Sequence, residues 1–219
     1  MTTRHSFDES LVELQQQILR MGSLVENMIS SSVESLARQD VKLAEEVIAM
    51  EKEIDLLEME IEQKCLKLIA TQQPLAKDLR RITAGFKIIT DLERMADYSH
   101  DIAKVTIRLS GQPLIKPLID IPRMSKLAQK MVKDALDSYV KEDVELAYQM
   151  CKDDDMVDQI YSQIFRELLT YMMEDPRTIS QATYLLFVGR YIERIADHAT
   201  NIGERVIYLV TGEKKELND

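Results

Sequence analysis

The apolar residues of this chain recur in alternating steps of four and three over long stretches of sequence. Three such runs precede a proline-rich stretch at residues 111–122, and they are bounded by Phe7 and Leu36, by Val47 and Leu68, and by Leu75 and Ile89. This heptad spacing places the apolar side chains on one face of an α-helix and is typical of helices that pack against one another. We therefore predict three long helices in the first half of the chain.

Prolines and one aspartate indicate where these helices begin and end. The five prolines lie in three places: Pro74, the stretch that holds Pro113, Pro117 and Pro122, and Pro176. Proline interrupts a helix, so each place predicts a boundary, and residues 111–122 are expected to form a linker. Asp40 directly precedes the second run and is expected to cap its helix. Leu75 and Leu79 belong to the apolar run of the third helix and are expected to face the core of the bundle.

The second half of the chain repeats the first. Residues 39–44, QDVKLA, correspond to EDVELA at 142–147, and ERMADYSHD at 93–101 corresponds to ERIADHATN at 193–201. A repeat of this length predicts two copies of one helical unit. We expect an all-α fold in which two antiparallel three-helix bundles, six long helices in total, are related by a pseudo-twofold axis. The predicted domains are residues 1–112 and 113–219.

Composition and charge exclude several classes of function. A net charge of −10 and a pI near 4.9 argue against nucleic-acid binding, which needs a clustered basic surface. No apolar stretch approaches the roughly 20 residues that span a bilayer, and the amino terminus lacks the apolar core of a signal peptide. We therefore expect a cytoplasmic protein. Cys65 and Cys151 lie outside any CxxC spacing and are interpreted as helix residues.

Acidic residues recur four positions apart in both halves, which places their Cβ atoms about 5–6 Å from one another on a helix. The third helix of each unit carries a three-residue stripe, and the second helix of each unit carries a pair. The stripes are Glu93, Asp97 and Asp101, and Glu193, Asp197 and Asn201; the pairs are Glu51 and Asp55, and Asp154 and Asp158. The two pairs coincide when the halves are aligned, and they lie beside the apolar seam, a position that can face a neighbouring helix.

Carboxylates stacked in this way repel one another, so something must offset their charge. One interpretation is an acidic face neutralised by solvent and by arginines such as Arg94 and Arg194. The other is a cation held between facing carboxylate pairs. Oxygen ligands suit magnesium, manganese, calcium or iron, and paired carboxylates bridge metal ions in many proteins. The occurrence of two pairs in each half raises the metal interpretation to equal standing with the first.

The tandem repeat, the paired E/D-xxx-D spacing and the motifs DLERMAD and YIERIAD resemble the PhoU family of phosphate-transport accessory proteins over nearly the whole chain. The resemblance implies a cytoplasmic negative regulator that couples the ATPase of the phosphate-specific ABC transporter to a phosphate-sensing histidine kinase. It also implies a homodimer or higher oligomer, with no nucleic-acid partner and with membrane contact only through its partners.

The same resemblance implies metal binding at the acidic positions, with iron, zinc, manganese or magnesium as the ion. Carried over residue by residue, the ligands are Glu51, Asp55, Glu93, Asp97 and Asp101 in the first unit, and Asp154, Asp158, Glu193, Asp197 and Asn201 in the second. Asn201 departs from the carboxylate expected at its position and weakens the expectation for the second site.

Two alternative functions remain open. A helical di-metal carboxylate oxidase also uses acidic helices, although it requires Glu-xx-His on two of them, and Asp97 with His100 is the nearest spacing in this chain. A phosphotransfer protein would use His100, which lies beside an acid on a predicted helix. The sequence shows no Ser-His-Asp arrangement, glycine-rich phosphate loop or Cys-His pair. We therefore predict that the chain is not an enzyme.

Overall fold

The computed structural model describes residues 3–217, and all long elements within that range are α-helices. They are α1 (Thr3–Arg38), α2 (Val41–Gln72), α3 (Ala76–Leu109), α4 (Asp120–Lys141), α5 (Val144–Lys152), α6 (Asp154–Glu174) and α7 (Ile179–Thr211), with a short 3₁₀-helix at Pro176–Thr178. The first unit consists of α1–α3 and the second of α4–α7. The predicted all-α fold with tandem helical bundles is confirmed.

The turn between the first two helices of each unit is the same in both copies. Gln39 and Glu142 adopt the left-handed conformation, with φ of 52° and 51°, and end α1 and α4. Asp40 then accepts a hydrogen bond from the Leu43 backbone N–H at 3.1 Å, and Asp143 accepts one from Leu146 at 3.0 Å. Each aspartate satisfies a backbone donor that the first turn of a helix leaves unpaired. The predicted cap is confirmed, and it recurs in the second unit.

The heptad positions form one continuous hydrophobic core that runs through both units. Ile18, Met21, Val25 and Met28 of α1 are completely buried, as their spacing predicts. In addition, α1 packs against α4, and α3 packs against α7. The two units therefore bury apolar surface against each other, which is the main stabilising contribution to such a bundle.

The expectation for Leu75 and Leu79 was wrong. Leu75 is 73% exposed and Leu79 is also exposed, whereas Asp78 is buried. The buried face of α3 passes through Asp78, Ile82 and Ile89, so Leu79 lies one position beside it. Leu75 precedes the helix as its N-cap residue.

The helix that corresponds to α2 is interrupted in the second unit. It ends as α5 at Lys152 and resumes as α6 at Asp154. Between them the backbone N–H of Asp153 bonds to the Met150 carbonyl at 2.9 Å. Asp154 and Asp155 thus occupy the first turn of α6, where the helix dipole favours negative charge. The six-helix arrangement is retained, with its fifth helix divided in two.

The linker between the units is held in place by a side chain of α7. Gln181 accepts a hydrogen bond from the Ile115 backbone N–H at 2.5 Å and donates one to the Pro113 carbonyl at 3.1 Å. The predicted boundary between residues 112 and 113 falls in this linker and stays a prediction. Pro122 lies in the first turn of α4, a position where proline is tolerated. Within residues 3–217, no helix is both long enough and apolar enough to cross a membrane.

Candidate functional site

Carboxylates from α2 and α3 converge in the first unit. We call Glu51, Asp55, Glu58, Glu93 and Asp97 the first acidic cluster. Burial raises the pKa of Glu93, Asp97 and Glu58 above the ordinary values, and neighbouring carboxylates of the cluster raise it further. Partial burial therefore combines with like charge to make full ionisation of this cluster unfavourable.

One arginine partly offsets this repulsion. The Arg94 guanidinium donates to Asp97 Oδ2 at 3.1 Å, and its Nε lies 3.4 Å from Glu93 Oε2. The pKa of both carboxyl groups nevertheless stays raised. A half-exposed ion pair contributes about 0.2–1 kcal/mol, which explains why a single arginine does not neutralise the cluster.

His100 joins the first acidic cluster, although we did not predict this position. Its Nδ1 lies 2.5 Å from Glu51 Oε1, and its side chain is only 12% exposed. The spacing from Asp97 to His100 contained the signal, because residues three apart share a helix face. A histidine enclosed and paired in this way is poorly presented to an incoming phosphoryl donor, so the phosphotransfer alternative loses support.

The second acidic cluster consists of Asp154 and Asp158 on α6 and Glu193 and Asp197 on α7. Burial raises the pKa of Asp154 to about 7, and the carboxylates of Asp197 and Asp158 contribute. Among the residues described, Asp154 Oδ1 is one of four buried side-chain oxygen or nitrogen atoms with no hydrogen-bond partner. An acceptor oxygen without a donor is costly, so the cluster presents an unsatisfied site to a cation or proton.

Arginines also accompany the second cluster. Arg190 contacts Glu193, and Arg194 donates to Asp197 at 3.5 Å. Asp154 has no such hydrogen-bonded partner at its buried oxygen. The negative charge is therefore least compensated at the start of α6.

Asp101 and Asn201, the third residues of the two stripes, make contacts elsewhere. Asp101 accepts from Lys104 Nζ at 3.3 Å, whereas Asn201 Nδ2 donates to Asp91 Oδ1 at 3.2 Å. The same oxygen of Asp91 lies 2.9 Å from His198 Nδ1. Asn201 and His198 thus join α7 to α3 across the two units, and His198 is engaged away from any Glu-xx-His arrangement that a di-metal oxidase would need.

The corresponding contact on the other side of the pseudo-twofold axis has a different chemistry. Residues of α3 correspond to residues of α7 that lie 100 positions later in the sequence. Asp91 therefore corresponds to Tyr191, and Tyr98 corresponds to His198. Here the Tyr98 and Tyr191 rings stack with their centroids 5.8 Å apart. The seam between α3 and α7 therefore has one polar contact and one aromatic contact at equivalent places.

Glu58 is a further member of the first cluster that we did not predict. It lies three residues after Asp55, and this spacing could have identified it. The search for pairs common to both halves passed over it, because Tyr161 occupies the equivalent place in the second unit. The two clusters thus differ in composition.

The donor chemistry of both clusters fits a hard cation, since apart from His100 in the first cluster the converging groups are carboxylates, and one buried oxygen in the second is unsatisfied. In the described part of the chain, no three His, Cys, Asp or Glu side chains are arranged to hold one metal ion together. Binding would therefore require carboxylate side chains to rotate toward a common point. Eight of the ten predicted ligands belong to the two clusters, and Asp101 and Asn201 have the other contacts described above.

The fold and the site define a class of all-helical proteins, built from two copies of a three-helix bundle with an acidic cluster in each. The model of the PhoU domain matches residues 18–106 and 121–206, which correspond to the two units. The chain belongs to the PhoU family. The family and fold expected from the sequence are both confirmed.

Relatives match over almost their full lengths. A protein of Clostridium acetobutylicum named phosphate-specific transport system accessory protein PhoU homolog is 45% identical, over 99% of this chain and 100% of its own. The homolog of the same name from Aquifex aeolicus is 46% identical, over 94% of this chain and 93% of its own. These names describe accessory proteins, in agreement with the prediction that the chain is not an enzyme.

Solved structures agree with the fold. The crystal structure of PhoU from Pseudomonas aeruginosa superposes with a TM-score of 0.91 at 38% identity, covering 94% of this chain and 100% of that chain. The crystal structure of the phosphate transport system regulatory protein PhoU from Streptococcus pneumoniae superposes with a TM-score of 0.89 at 32% identity, covering 96% of this chain and 99% of that chain.

Proposed function

We propose that this chain is a cytoplasmic negative regulator of phosphate uptake and of the phosphate-starvation response. It acts between the ATPase of a phosphate-specific ABC transporter and a phosphate-sensing histidine kinase, as a homodimer. The observation that carries this proposal is the full-length similarity to proteins named as accessory to the phosphate-specific transport system. The net charge of −10 is consistent with protein partners rather than nucleic acid.

We further propose that each acidic cluster holds metal, with iron, zinc, manganese or magnesium as the candidate ion. Glu51, Asp55, Glu93 and Asp97 would supply ligands in the first unit. In the second unit the ligands would be Asp154, Asp158, Glu193 and Asp197. A bound cation would supply positive charge that offsets carboxylate repulsion between neighbouring helices, so the role of the metal is structural or regulatory.

The regulatory proposal is tested by deleting the gene and measuring a phosphate-starvation reporter in phosphate-rich medium. We expect the reporter to be switched on in the deletion strain and repressed again by the wild-type gene. Affinity purification from the complemented strain should recover the transporter ATPase or the sensor kinase. Normal repression in the deletion strain would contradict the proposal.

The metal proposal is tested on protein purified without added metal or chelating resin. Elemental analysis should detect bound metal, and titration should resolve two classes of site. Asp97→Asn should remove the first class and Asp197→Asn the second, because each removes a carboxylate from one cluster only. Glu174→Gln is the matched control, since this exposed glutamate ends α6 outside both clusters. The proposal is contradicted if neither elemental analysis nor titration detects metal, or if all three variants bind metal equally. These residues would then form a solvated acidic face.

A further inference from the structure

The side of α2 that points away from the core carries an apolar pattern of its own. We call Lys52, Leu56, Met59, Gln63, Leu66 and Ala70 the outer face of α2. These residues are all exposed and recur in alternating steps of four and three, so they form a second heptad seam opposite the buried one. Leu56 is 59% exposed, Met59 51% and Leu66 55%. A helix with two such seams can pack against the core and against a further helix at the same time.

The apolar character of this face is not needed to build the fold. Residues in this part of α2 correspond to residues of α6 that lie 103 positions later in the sequence. Leu56 therefore corresponds to Gln159, and Met59 corresponds to Ser162. The second unit thus folds with polar side chains at places where the first unit exposes apolar ones. Neighbouring exposed apolar side chains that the fold does not require are typical of a surface that binds another protein.

The order of residues along the outer face is self-complementary when two copies of α2 lie antiparallel. With a twofold axis at the level of Ile61, Leu56 of one copy is level with Leu66 of the other. Met59 is then level with Gln63 of the other copy, so the steps of the two seams coincide. A contact between two identical surfaces needs such a self-complementary patch, because every pair of residues meets twice.

Charges beside the outer face agree with this register. Glu53 and Lys67 are exposed and lie two heptads apart on the flank nearer α1, where Glu53 accepts a hydrogen bond from Arg20 at 2.9 Å. In the antiparallel arrangement, Glu53 of each copy is within about 3 Å of the level of Lys67 of the other, which gives two ion pairs. Glu60 and Glu62 oppose the contact, because each approaches its own copy near the axis.

We propose that the outer face of α2 is the contact between two copies of this chain, in an antiparallel and twofold-symmetric arrangement. The inference rests on the proposed homodimer and specifies the face through which it forms. An unrelated protein partner would not require the apolar and charged residues of α2 to match one another across a twofold axis. The match between Leu56 and Leu66, and between Glu53 and Lys67, therefore favours a second copy.

The test is sedimentation of the purified full-length protein, which measures the dissociation constant of the dimer. We expect Leu66→Glu to weaken the dimer more than about 10-fold, because the change enters the contact twice and replaces apolar burial with charge. Leu169→Glu is the matched control, since Leu169 is the counterpart of Leu66 on α6 and is 38% exposed. This control should leave the dissociation constant unchanged, and circular dichroism should show that both variants are folded.

Charge variants test the register of the two helices. Lys67→Glu should weaken the dimer about 2- to 5-fold, because two exposed ion pairs become repulsive, and the double variant Glu53→Lys, Lys67→Glu should restore it. Glu60→Gln should tighten the dimer, because it removes the repulsion between two copies of Glu60. Glu174→Gln removes the same charge from the exposed end of α6 and should have no effect.

Four results would overturn the proposal. They are a wild-type protein that sediments as a monomer at all concentrations, a dimer that Leu66→Glu and Leu169→Glu affect equally, and failure of the double charge variant to restore the dimer. The fourth is a monomeric wild type in which Leu66→Glu still abolishes reporter repression, which would assign the face to a different protein. Sedimentation is measured without the reporter strain, so a chain that represses normally but forms its dimer elsewhere would contradict this inference alone.

Discussion

Asp154 offers the clearest test of the electrostatics of the second acidic cluster. Burial, reinforced by Asp197 and Asp158, raises its pKa from the usual 3.8 to about 7. A pKa difference of this size between the unfolded and folded chain corresponds to about 4 kcal/mol of destabilisation at pH 8. Because the side chain is only partly buried, solvent screening reduces this, and we expect about 2 kcal/mol. Asp154→Asn should therefore stabilise the metal-free protein by that amount.

The sign of the pH dependence follows from proton binding. Below about pH 4 the group is protonated in both states, so the wild type and Asp154→Asn should unfold alike. Between about pH 4 and pH 7 the unfolded chain loses the proton first, so the wild type loses stability relative to the variant as pH rises. Above pH 7 the difference should be constant.

The assay is thermal unfolding of chelator-treated protein, followed by circular dichroism at pH 5 and pH 8. A difference of about 2 kcal/mol corresponds to about 4–8 °C in Tm for a chain of this size. Asp155→Asn is the comparison: it removes an exposed charge from the same first turn of α6, and because that charge raises the pKa of Asp154 less than Asp197 and Asp158 do, we expect a smaller gain. The reasoning would be refuted if both variants changed Tm equally, or if the gain at pH 8 persisted unchanged at pH 5.

Three further predictions follow from local contacts. Asp40→Ala and Asp143→Ala should each reduce the free energy of unfolding by about 1 kcal/mol in urea titrations, because each removes a helix cap, and unequal losses would show that the two turns are not equivalent. Gln181→Ala should speed limited proteolysis between the units, because two bonds to the linker are lost, and an unchanged cleavage rate would contradict that role. Gly212→Ala should cost about 1 kcal/mol, since Gly212 ends α7 with φ of 77°, and no change in the urea midpoint would count against this.

Much of the fold was predictable because it depends on local spacing. Heptad steps identified the buried faces of α1 and α2, and Asp40 marked the turn between them. The interruption at Asp153 was not predictable from spacing, because the heptad seam of α2 continues through the equivalent Met50 and Glu51. It depends instead on three consecutive aspartates, whose charges are best accommodated where a new helix begins.

The candidate site was predictable to the level of helix faces. Residues four apart necessarily share a face, so Glu93 and Asp97 were correctly placed together. Which neighbour a side chain contacts depends on packing between helices that are distant in sequence. For this reason the bond from Asn201 to Asp91, and the contact of His100 with Glu51, could not be read from the stripe that contains each residue.

The unequal contacts at the seam between α3 and α7 have a consequence for evolution and recognition. Two identical chains that met along this seam would carry each contact twice, so a change at one would appear at both. Covalent fusion frees the copies to diverge, and this chain has Asp91 with His198 at one place and Tyr191 with Tyr98 at the other. The face consequently has a polarity. A partner lying across it meets different ends in its two opposite orientations, which makes those orientations energetically distinct.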